Sequence, residues 1–141
     1  MEQQNIDVVR RGYEAFGRGD MDALLALFDP DIEWTTAAPP DLPVGGTRRG
    51  REAVAAFFRE VDEMFDIERF EPREFIAQGD QVVVLVDETS RIKATGHRFD
   101  FKWAHVFRLR DGKVVSFQEY GDTSALVDDL RSVGKVRAAG A

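Results

Sequence analysis

The sequence predicts an α+β fold in which helices pack on one face of a curved sheet, either mixed or antiparallel. Helical periodicity dominates residues 4–66, and strand-like runs follow one another over residues 67–120. The pair Asp111-Gly112 lies between two alternating runs, which is a strong signal for a hairpin. Helices and strands that are segregated along the chain in this way favour an α+β fold.

Composition and charge limit the classes of function. A length of 141 residues predicts one domain, placed at residues 1–133, with 134–141 as a frayed tail. The apolar share of 43% and the charged share of 32% are typical of a soluble globular protein. A net charge of -7 argues against nucleic acid and anionic membranes as partners, because both need a basic face. The absence of cysteine excludes disulfides and thiolate chemistry.

The amino terminus and the hydropathy pattern favour a cytoplasmic protein. Residues 1–5 are polar and lack the apolar core of a signal peptide. No apolar run approaches the ~20 residues that a membrane-spanning helix needs. We therefore expect neither a leader nor a membrane anchor.

Apolar spacing predicts three helices and a strand in the first half of the chain. An amphipathic helix covers residues 4–17, and Asp20 can cap a second, short helix. Residues 32–36 follow as a short strand, and residues 50–66 form the clearest helix. The apolar stripe of this last helix, which predicts core packing, consists of Val54, Phe57, Phe58, Val61 and Phe65.

Residues 37–49 form the longest stretch without periodicity and contain three prolines and two glycines. Loops of this length inside a compact domain are often lids or binding loops. A plain surface connection is an equal alternative. The pattern leaves both open.

The strand-like runs that follow indicate how the sheet is covered. Residues 67–77 alternate, and residues 82–86 are apolar on both faces. A strand that is apolar on both faces must be covered on both. Helices can cover one face, and a second subunit can cover the other, which predicts a homodimer.

Seven short segments carry a resemblance to a known family. They are Tyr13-Glu14-Ala15-Phe16, Leu24–Trp34, Arg49–Val54, Gly79–Val84, Ala104-His105-Val106-Phe107, Arg110–Val114 and Glu119–Thr123. With these segments the chain resembles the SnoaL-like branch of the nuclear transport factor 2-like superfamily over roughly residues 5–130. The resemblance implies a cystatin-like cone, in which a bent sheet wraps a long helix and leaves a deep apolar pocket.

The resemblance also implies a range of functions. Members include polyketide cyclases, ketosteroid isomerases, dehydratases and epoxide hydrolases, and others only bind or dimerise. The enzymes mostly use one carboxylate base and a few hydrogen-bond donors, without a metal or an organic cofactor. Dimers commonly form through the outer face of the sheet. The partners implied are therefore a small hydrophobic molecule and a second copy of the chain.

Asp122 and His105 match the positions of a base and a histidine in SnoaL-like cyclases. A carboxylate in an apolar pocket has a raised pKa and can take and return a proton. A neutral imidazole can donate to a carbonyl or shuttle a proton. Each residue has a structural alternative, because Asp122 is also a good cap for the last helix and His105 can be a satisfied core residue.

The register of the hairpin decides which side chains share the face of His105. A two-residue turn places Gln118 opposite His105 and Tyr120 opposite Trp103. A three-residue turn with a bulge at Gly112 instead places Glu119 on the face of His105. Both registers are compatible with the pattern.

Glu88 is a candidate second acid, since it interrupts an apolar run and shares parity with Val82, Val84 and Val86. It can equally mark the point where that strand leaves the core. Six aromatic residues are candidate pocket walls and are equally compatible with ordinary core packing: Trp34, Tyr13, Phe57, Trp103, Tyr120 and Phe101.

Several kinds of site are not indicated. His97 and His105 are the only histidines and are wrongly spaced for a metal site, so no metal is expected. There is no glycine-rich phosphate loop after a strand and no serine in a nucleophile elbow. The basic cluster Arg48-Arg49-Gly50-Arg51 is read as a solvated patch, with a carboxylated substrate as the alternative.

The favoured function is a cofactor-free acid–base enzyme that isomerises or cyclises a hydrophobic, oxygenated substrate next to a carbonyl. Asp122 is the expected base, His105 the donor or shuttle, and Glu88 a possible assistant. The alternative is a non-catalytic binding or dimerisation module, since fold does not dictate function. An epoxide hydrolase-like or dehydratase-like enzyme is a further alternative. Epoxide hydrolysis would need an arginine beside Trp103 and His105, where the sequence has none.

Overall fold

The computed structural model describes residues 1–140, and the side chains of residues 1–133, in an α+β arrangement. In chain order the elements are α1 (Glu2–Arg18), α2 (Met21–Ala26), β1 (Phe28–Thr35), β2 (Thr47–Arg49), α3 (Arg51–Met64), β3 (Phe65–Gln78), β4 (Gln81–Ile92), β5 (Arg98–Arg110), β6 (Lys113–Tyr120) and α4 (Ser124–Gly140). The tail that the sequence predicts to be frayed consists of residues 134–141. The side chains of residues 134–140 and the whole of residue 141 lie outside the described part of the chain.

One curved, unclosed sheet of six strands runs in the order β2-β1-β6-β5-β4-β3. The pairing of β1 with β6 is parallel and the other pairings are antiparallel, so the sheet is mixed. The sequence did not predict β2, which lies inside the predicted loop 37–49 and pairs Thr47 with Thr35. The second helix is also shorter than its apolar pattern suggested, because Phe28 already begins β1.

The core lies between the inner face of the sheet and the helices α1 and α3. Val82, Val84 and Val86 of β4 are fully buried there, as is Val54 of α3. Alternation along β4 places Val83, Leu85 and Asp87 on the outer face, where they are partly buried. Burying a valine side chain contributes roughly 1.5–3 kcal/mol, so this inner row fixes the orientation of the sheet.

The hairpin between β5 and β6 combines a tight turn with a bulge. Asp111 and Gly112 both have positive φ, and Arg110 pairs with Lys113, as a two-residue type I′ turn requires. The register then shifts, because Leu109 pairs with Val114 whereas Arg108 pairs with Ser116. The extra residue is Val115, within β6 and not in the turn.

This bulge decides between the two registers that the sequence left open. His105 pairs with Glu119, and not with Gln118, while Tyr120 pairs with Ala104, and not with Trp103. The parity is that of the alternative register, although its predicted cause, a bulge at Gly112, was wrong. The physical reason is burial: Val114 and Phe117 are 2% and 4% exposed, and both can face the core only if one residue between them is skipped.

The loop between β1 and β2 folds back on itself and packs against the core. Thr36 donates its hydroxyl to the carbonyl of Val44 at 2.6 Å, and the Gly46 N–H donates to the carbonyl of Ala38 at 3.1 Å. Ala38 and Val44 are buried. These contacts do not fit a plain surface connection, one of the two expectations for this loop, since the loop packs against the core.

Candidate functional site

An apolar cavity of about 140 Å³ lies between the inner sheet face and the helices. Most of its walls are aromatic or aliphatic side chains contributed by α1, α3, β1, β3, β5 and β6. The loop between β1 and β2 adds Ala38 and Val44, and the start of α4 adds Leu126. An apolar pocket with a few polar groups is the usual form of a small-molecule site.

Five of the six predicted wall residues line this cavity: Trp34, Tyr13, Phe57, Trp103 and Phe101. The exception is Tyr120, whose side chain is 57% exposed. Tyr120 follows Glu119 on β6, so strand alternation turns it to the outer face once Glu119 faces inward. The shifted register therefore removes Tyr120 from the pocket.

Three polar side chains meet in the cavity wall. The Tyr13 hydroxyl lies 2.7 Å from Nδ1 of His105, and Nε2 of His105 lies 3.4 Å from Oε2 of Glu119. Tyr13 comes from α1, whereas His105 and Glu119 are paired residues of β5 and β6. His105 is 5% exposed, and its Nε2 has no hydrogen-bond partner of good geometry. Tyr13, His105 and Glu119 thus form a line, in which the His105 nitrogen that faces the Glu119 carboxylate is not satisfied by a hydrogen bond.

Tyr13 keeps its proton in this line. Burial raises the pKa of Tyr13 well above its ordinary value of 10.0, and the negative charge of Glu119 raises it further. The hydroxyl can therefore donate to Nδ1 of His105, which leaves the proton of a neutral imidazole on Nε2. That is the nitrogen that faces Glu119.

Glu119 was not among the candidate site residues, although one of the two registers that the sequence left open places it on the face of His105. Its carboxylate is held by the backbone N–H of Ala37, which donates to Oε1 at 3.2 Å. The side chain is 18% exposed and lines the cavity. The odd spacing of the apolar residues Val114 and Phe117 was a usable signal for the bulge that turns Glu119 inward.

Glu88 lies in the same wall as a second carboxyl group. It accepts from the indole N–H of Trp103 at 2.9 Å and from the hydroxyl of Ser90 at 2.6 Å. Burial raises the pKa of Glu88, and the charge of Glu119 adds to this effect, although the two hydrogen bonds act in the opposite direction. Glu88 therefore holds a proton to higher pH than an exposed glutamate does.

Asp122 does not line the cavity, contrary to the expectation that it is the base. Its side chain is exposed, and Oδ1 accepts from the backbone N–H of Ser124 at 2.9 Å and from the Ser124 hydroxyl at 2.7 Å. These hydrogen bonds lower the pKa of Asp122, the opposite of what a base in an apolar pocket shows. The structural alternative, a turn that begins the last helix, describes this residue.

No lysine or arginine among the described residues lines the cavity. In the basic cluster, Arg48 and Arg49 pair with Glu60 and Glu33, and Arg51 donates to the backbone carbonyl of Phe28. A role for this cluster in holding a carboxylated substrate inside the cavity is therefore not supported.

Two other kinds of site are not seen in the described part of the chain. It contains no group of three or more histidine, cysteine, aspartate or glutamate side chains placed to hold a metal ion. Over the same residues, no helix has the length and hydropathy needed to cross a membrane. The cavity is therefore the candidate functional site of the described residues.

Known proteins share both the sequence pattern and the fold. A family model described as a SnoaL-like domain matches residues 9–117. A nuclear transport factor 2-like protein from Burkholderia xenovorans LB400 is 39% identical, with a TM-score of 0.82 over 92% of this chain and 97% of that one. A second such protein, of unknown function, from Burkholderia pseudomallei K96243 is 34% identical, with a TM-score of 0.80 over 90% and 97%.

A third similar structure is that of TerC co-crystallised with polyporic acid. It is 30% identical, with a TM-score of 0.78 over 90% of this chain and 97% of that one. No curated protein shows significant similarity to the chain. The family match covers most of the sequence, and the structural matches cover nearly all of the fold. The chain therefore belongs to the SnoaL-like domain family and has a nuclear transport factor 2-like fold.

Proposed function

We propose that this protein is a cofactor-free acid–base enzyme that moves a proton next to a carbonyl of a small, hydrophobic, oxygenated molecule. The observation that carries the proposal is the line of Tyr13, His105 and Glu119 in the wall of an apolar cavity. Enolate chemistry requires at least a base beside a hydrogen-bond donor in a site that excludes water. The similarity to TerC, which was co-crystallised with polyporic acid, supports an organic ligand for this fold.

Glu119 replaces Asp122 as the proposed base. Its carboxylate accepts the proton from the carbon next to the carbonyl, and the electron pair of that C–H bond moves to the carbonyl oxygen as an enolate forms. The Nε2–H of His105 donates to this oxygen, where the negative charge develops. Return of the proton to another carbon gives isomerisation. Attack of the enolate carbon on a second carbonyl of the substrate gives ring closure, and the alkoxide that forms takes up the proton that Glu119 had accepted.

Tyr13 and Glu88 have supporting roles in this proposal. Tyr13 fixes the tautomer and the orientation of His105 through the 2.7 Å contact to Nδ1. Glu88, with its raised pKa, supplies a second carboxyl group that gives up its proton less readily than an exposed glutamate, while Glu119 acts as the base. Two carboxyl groups in different surroundings can thereby divide the acid and base roles.

Proton exchange in two single-ring ketones tests the proposal. Deuterium uptake from D₂O into the methyl group of acetophenone is followed by NMR, and isomerisation of cyclohex-3-enone to its conjugated isomer by absorbance. The wild-type protein should accelerate at least one of these reactions. Glu119→Gln should lower that rate by roughly 10²–10⁴-fold, the usual contribution of a positioned general base.

Asp122→Asn is the matched variant, since it removes a carboxylate two residues beyond the end of β6. With Glu119 as the base, Asp122→Asn keeps its activity. If instead Asp122→Asn is inactive and Glu119→Gln is active, Asp122 is the base, as the sequence predicts, and the proposal that Glu119 is the base is wrong. Far-UV circular dichroism of both variants checks that each one folds.

A non-catalytic binding or dimerisation module is the second candidate function. The observation in its favour is aromatic packing: Trp34 and Phe117 stack with ring centroids 3.8 Å apart, and Phe57 packs against Trp34. These rings occupy part of the cone. A wild-type protein that binds single-ring ligands without accelerating proton exchange would favour this candidate. Epoxide hydrolysis is less well supported, because the described cavity wall contains no arginine.

We also propose that the protein is a homodimer that uses the outer face of the sheet. Paired residues place six apolar side chains next to one another there, here named the outer apolar patch: Ile76, Val83, Leu85, Ala104, Val106 and Tyr120. Ile76 and Tyr120 are 47% and 57% exposed. A contiguous apolar patch of this kind is typical of an interface.

A further inference from the structure

We infer that the cavity selects an uncharged molecule about the size of one substituted ring and discriminates against carboxylates. The inference deepens the proposed function, on which it rests for the identification of the bound molecule as a substrate. It has two independent parts, one concerning size and one concerning charge. Both the size limit and the charge preference are set by side chains of this chain.

The size of the ligand follows from the free space. The cavity has a volume of about 140 Å³ and apolar walls. An engineered apolar cavity of about 150 Å³ in another protein binds benzene. A single ring with a small substituent therefore fits without rearrangement, whereas two fused rings need a wall residue such as Phe58 to move.

The charge preference follows from the acids in the wall. Glu88 and Glu119 both line the cavity, and no described lysine or arginine does. Three of the donors near them are already engaged, since Trp103 and Ser90 donate to Glu88 and the Ala37 N–H donates to Glu119. A bound carboxylate would meet like charges and no cation, which is a repulsive element of the kind that sets specificity.

A separate observation indicates that a polar ligand atom belongs here. His105 is 5% exposed, yet its Nε2 finds no hydrogen-bond partner. Buried polar atoms are nearly always satisfied, so an unpaired nitrogen in a cavity wall is most simply satisfied by a ligand. The proton that Tyr13 leaves on Nε2 makes this nitrogen a donor, and an uncharged carbonyl oxygen is a suitable acceptor.

Benzamide and benzoate form a matched pair of probes, because they have the same shape and differ in charge. The two tryptophans of the chain, Trp34 and Trp103, both line the cavity, so their fluorescence reports binding directly. At pH 7 benzamide should bind at least about tenfold more tightly than benzoate. Equal or tighter binding of benzoate, or no binding of either probe, would overturn the inference.

Glu119→Gln should reduce this preference to roughly threefold or less, since it removes a fixed charge beside Nε2 of His105. Glu88→Gln, which retains an acceptor for Trp103, is the second variant in case the first does not fold. Glu63→Gln removes an exposed carboxylate of α3 and is the control that should leave the ratio unchanged. An unchanged ratio in both cavity variants would show that these acids do not set the preference.

The size limit has its own probe, 2-naphthamide, which should bind at least about tenfold more weakly than benzamide. Phe58→Leu shortens a wall residue and should raise the affinity for 2-naphthamide relative to benzamide. Preferred binding of 2-naphthamide by the wild-type protein would overturn the size limit. None of these titrations needs turnover, so the charge and size preferences can hold in a protein that fails the proton-exchange assay, and the reverse is also possible.

Discussion

Glu88 is held by two donors in a place where its charge is unfavourable. Trp103 and Ser90 hydrogen-bond to its two oxygens, whereas burial and the nearby Glu119 raise its pKa. The folded protein therefore binds a proton at Glu88 more tightly than the unfolded chain does. That difference is measurable as a dependence of stability on pH.

Glu88→Gln should change this dependence in a defined direction. A raised pKa in the folded state means that the folded protein holds more protons than the unfolded chain above the ordinary glutamate value of 4.5. The wild-type free energy of unfolding therefore contains a favourable contribution below that value, which is lost as the pH rises through the raised pKa. Glutamine does not titrate, so the variant should gain stability relative to wild type over this window.

Urea unfolding at several pH values from about 4 upward measures the difference between the two proteins. Glu63→Gln, at an exposed position of α3, is the control and should follow the wild-type curve. A difference between Glu88→Gln and wild type that stays constant with pH would contradict the raised pKa of Glu88.

The backbone conformation of the loop between β1 and β2 determines part of the candidate site. Ala37 donates its N–H to Glu119, while Ala38 and Val44 form part of the cavity wall. Gly45 makes the fold of this loop possible, since a Cβ at that position would lie 1.9 Å from the carbonyl oxygen of Pro39. A backbone oxygen cannot move away as the end of a flexible side chain can.

Gly45→Ala should therefore destabilise the protein by about 1–3 kcal/mol, the usual cost of overpacking. The loop has to shift, so proton exchange or ligand binding should weaken as well. Gly17→Ala is the matched control: it lies in α1, with nothing within 4 Å of the added Cβ, and should stabilise the helix by roughly 0.5–1 kcal/mol. Thermal unfolding of both variants tests this, and equal stability of Gly45→Ala and wild type would show that the loop relaxes freely.

The whole sheet has two faces with different roles. The inner face carries the core and the candidate site, whereas the outer apolar patch is bordered by the charged pairs Lys102–Asp87 and Arg108–Asp80. An apolar centre with a charged border is the usual anatomy of a protein interface.

Val83→Lys should separate the proposed dimer into monomers. Val83 lies in the middle of the outer apolar patch, between Ile76 and Val106, and a lysine there would bring an unpaired charge into the interface. Light scattering coupled to size exclusion should give twice the chain mass of 15.9 kDa for wild type and that mass for the variant. Gln3→Lys, at an exposed position of α1, is the control and should remain dimeric. A monomeric wild-type protein would rule the dimer out.

Local sequence signals predicted most of the elements of the fold. Apolar stripes identified α1 and α3, Asp20 caps α2 as expected, and the two-residue turn at Asp111-Gly112 is present. Each of these features depends on residues within one or two helical turns or on a pair of turn residues. By contrast, β2 was missed, because its pairing with β1 depends on a partner strand and not on its own pattern.

The candidate site could be predicted only in part. The sequence identified His105, Glu88 and five of the six aromatic walls, because large or titratable groups on apolar runs are visible in a pattern. It gave the role of base to Asp122, which the structure places in a surface turn. Glu119 faces the cavity because a bulge at Val115 reverses the parity of β6, and only the packing of the core requires that bulge.

By itself, therefore, the sequence determined the α+β class, the family and the main helices, since these depend on local periodicity and on short recognisable segments. The tertiary structure alone decided that the sheet is mixed, which acid faces His105, and how much space the aromatic rings leave. These properties arise where side chains from α1, β1, β4, β5 and β6 meet, and such contacts between residues distant in the chain leave no local pattern.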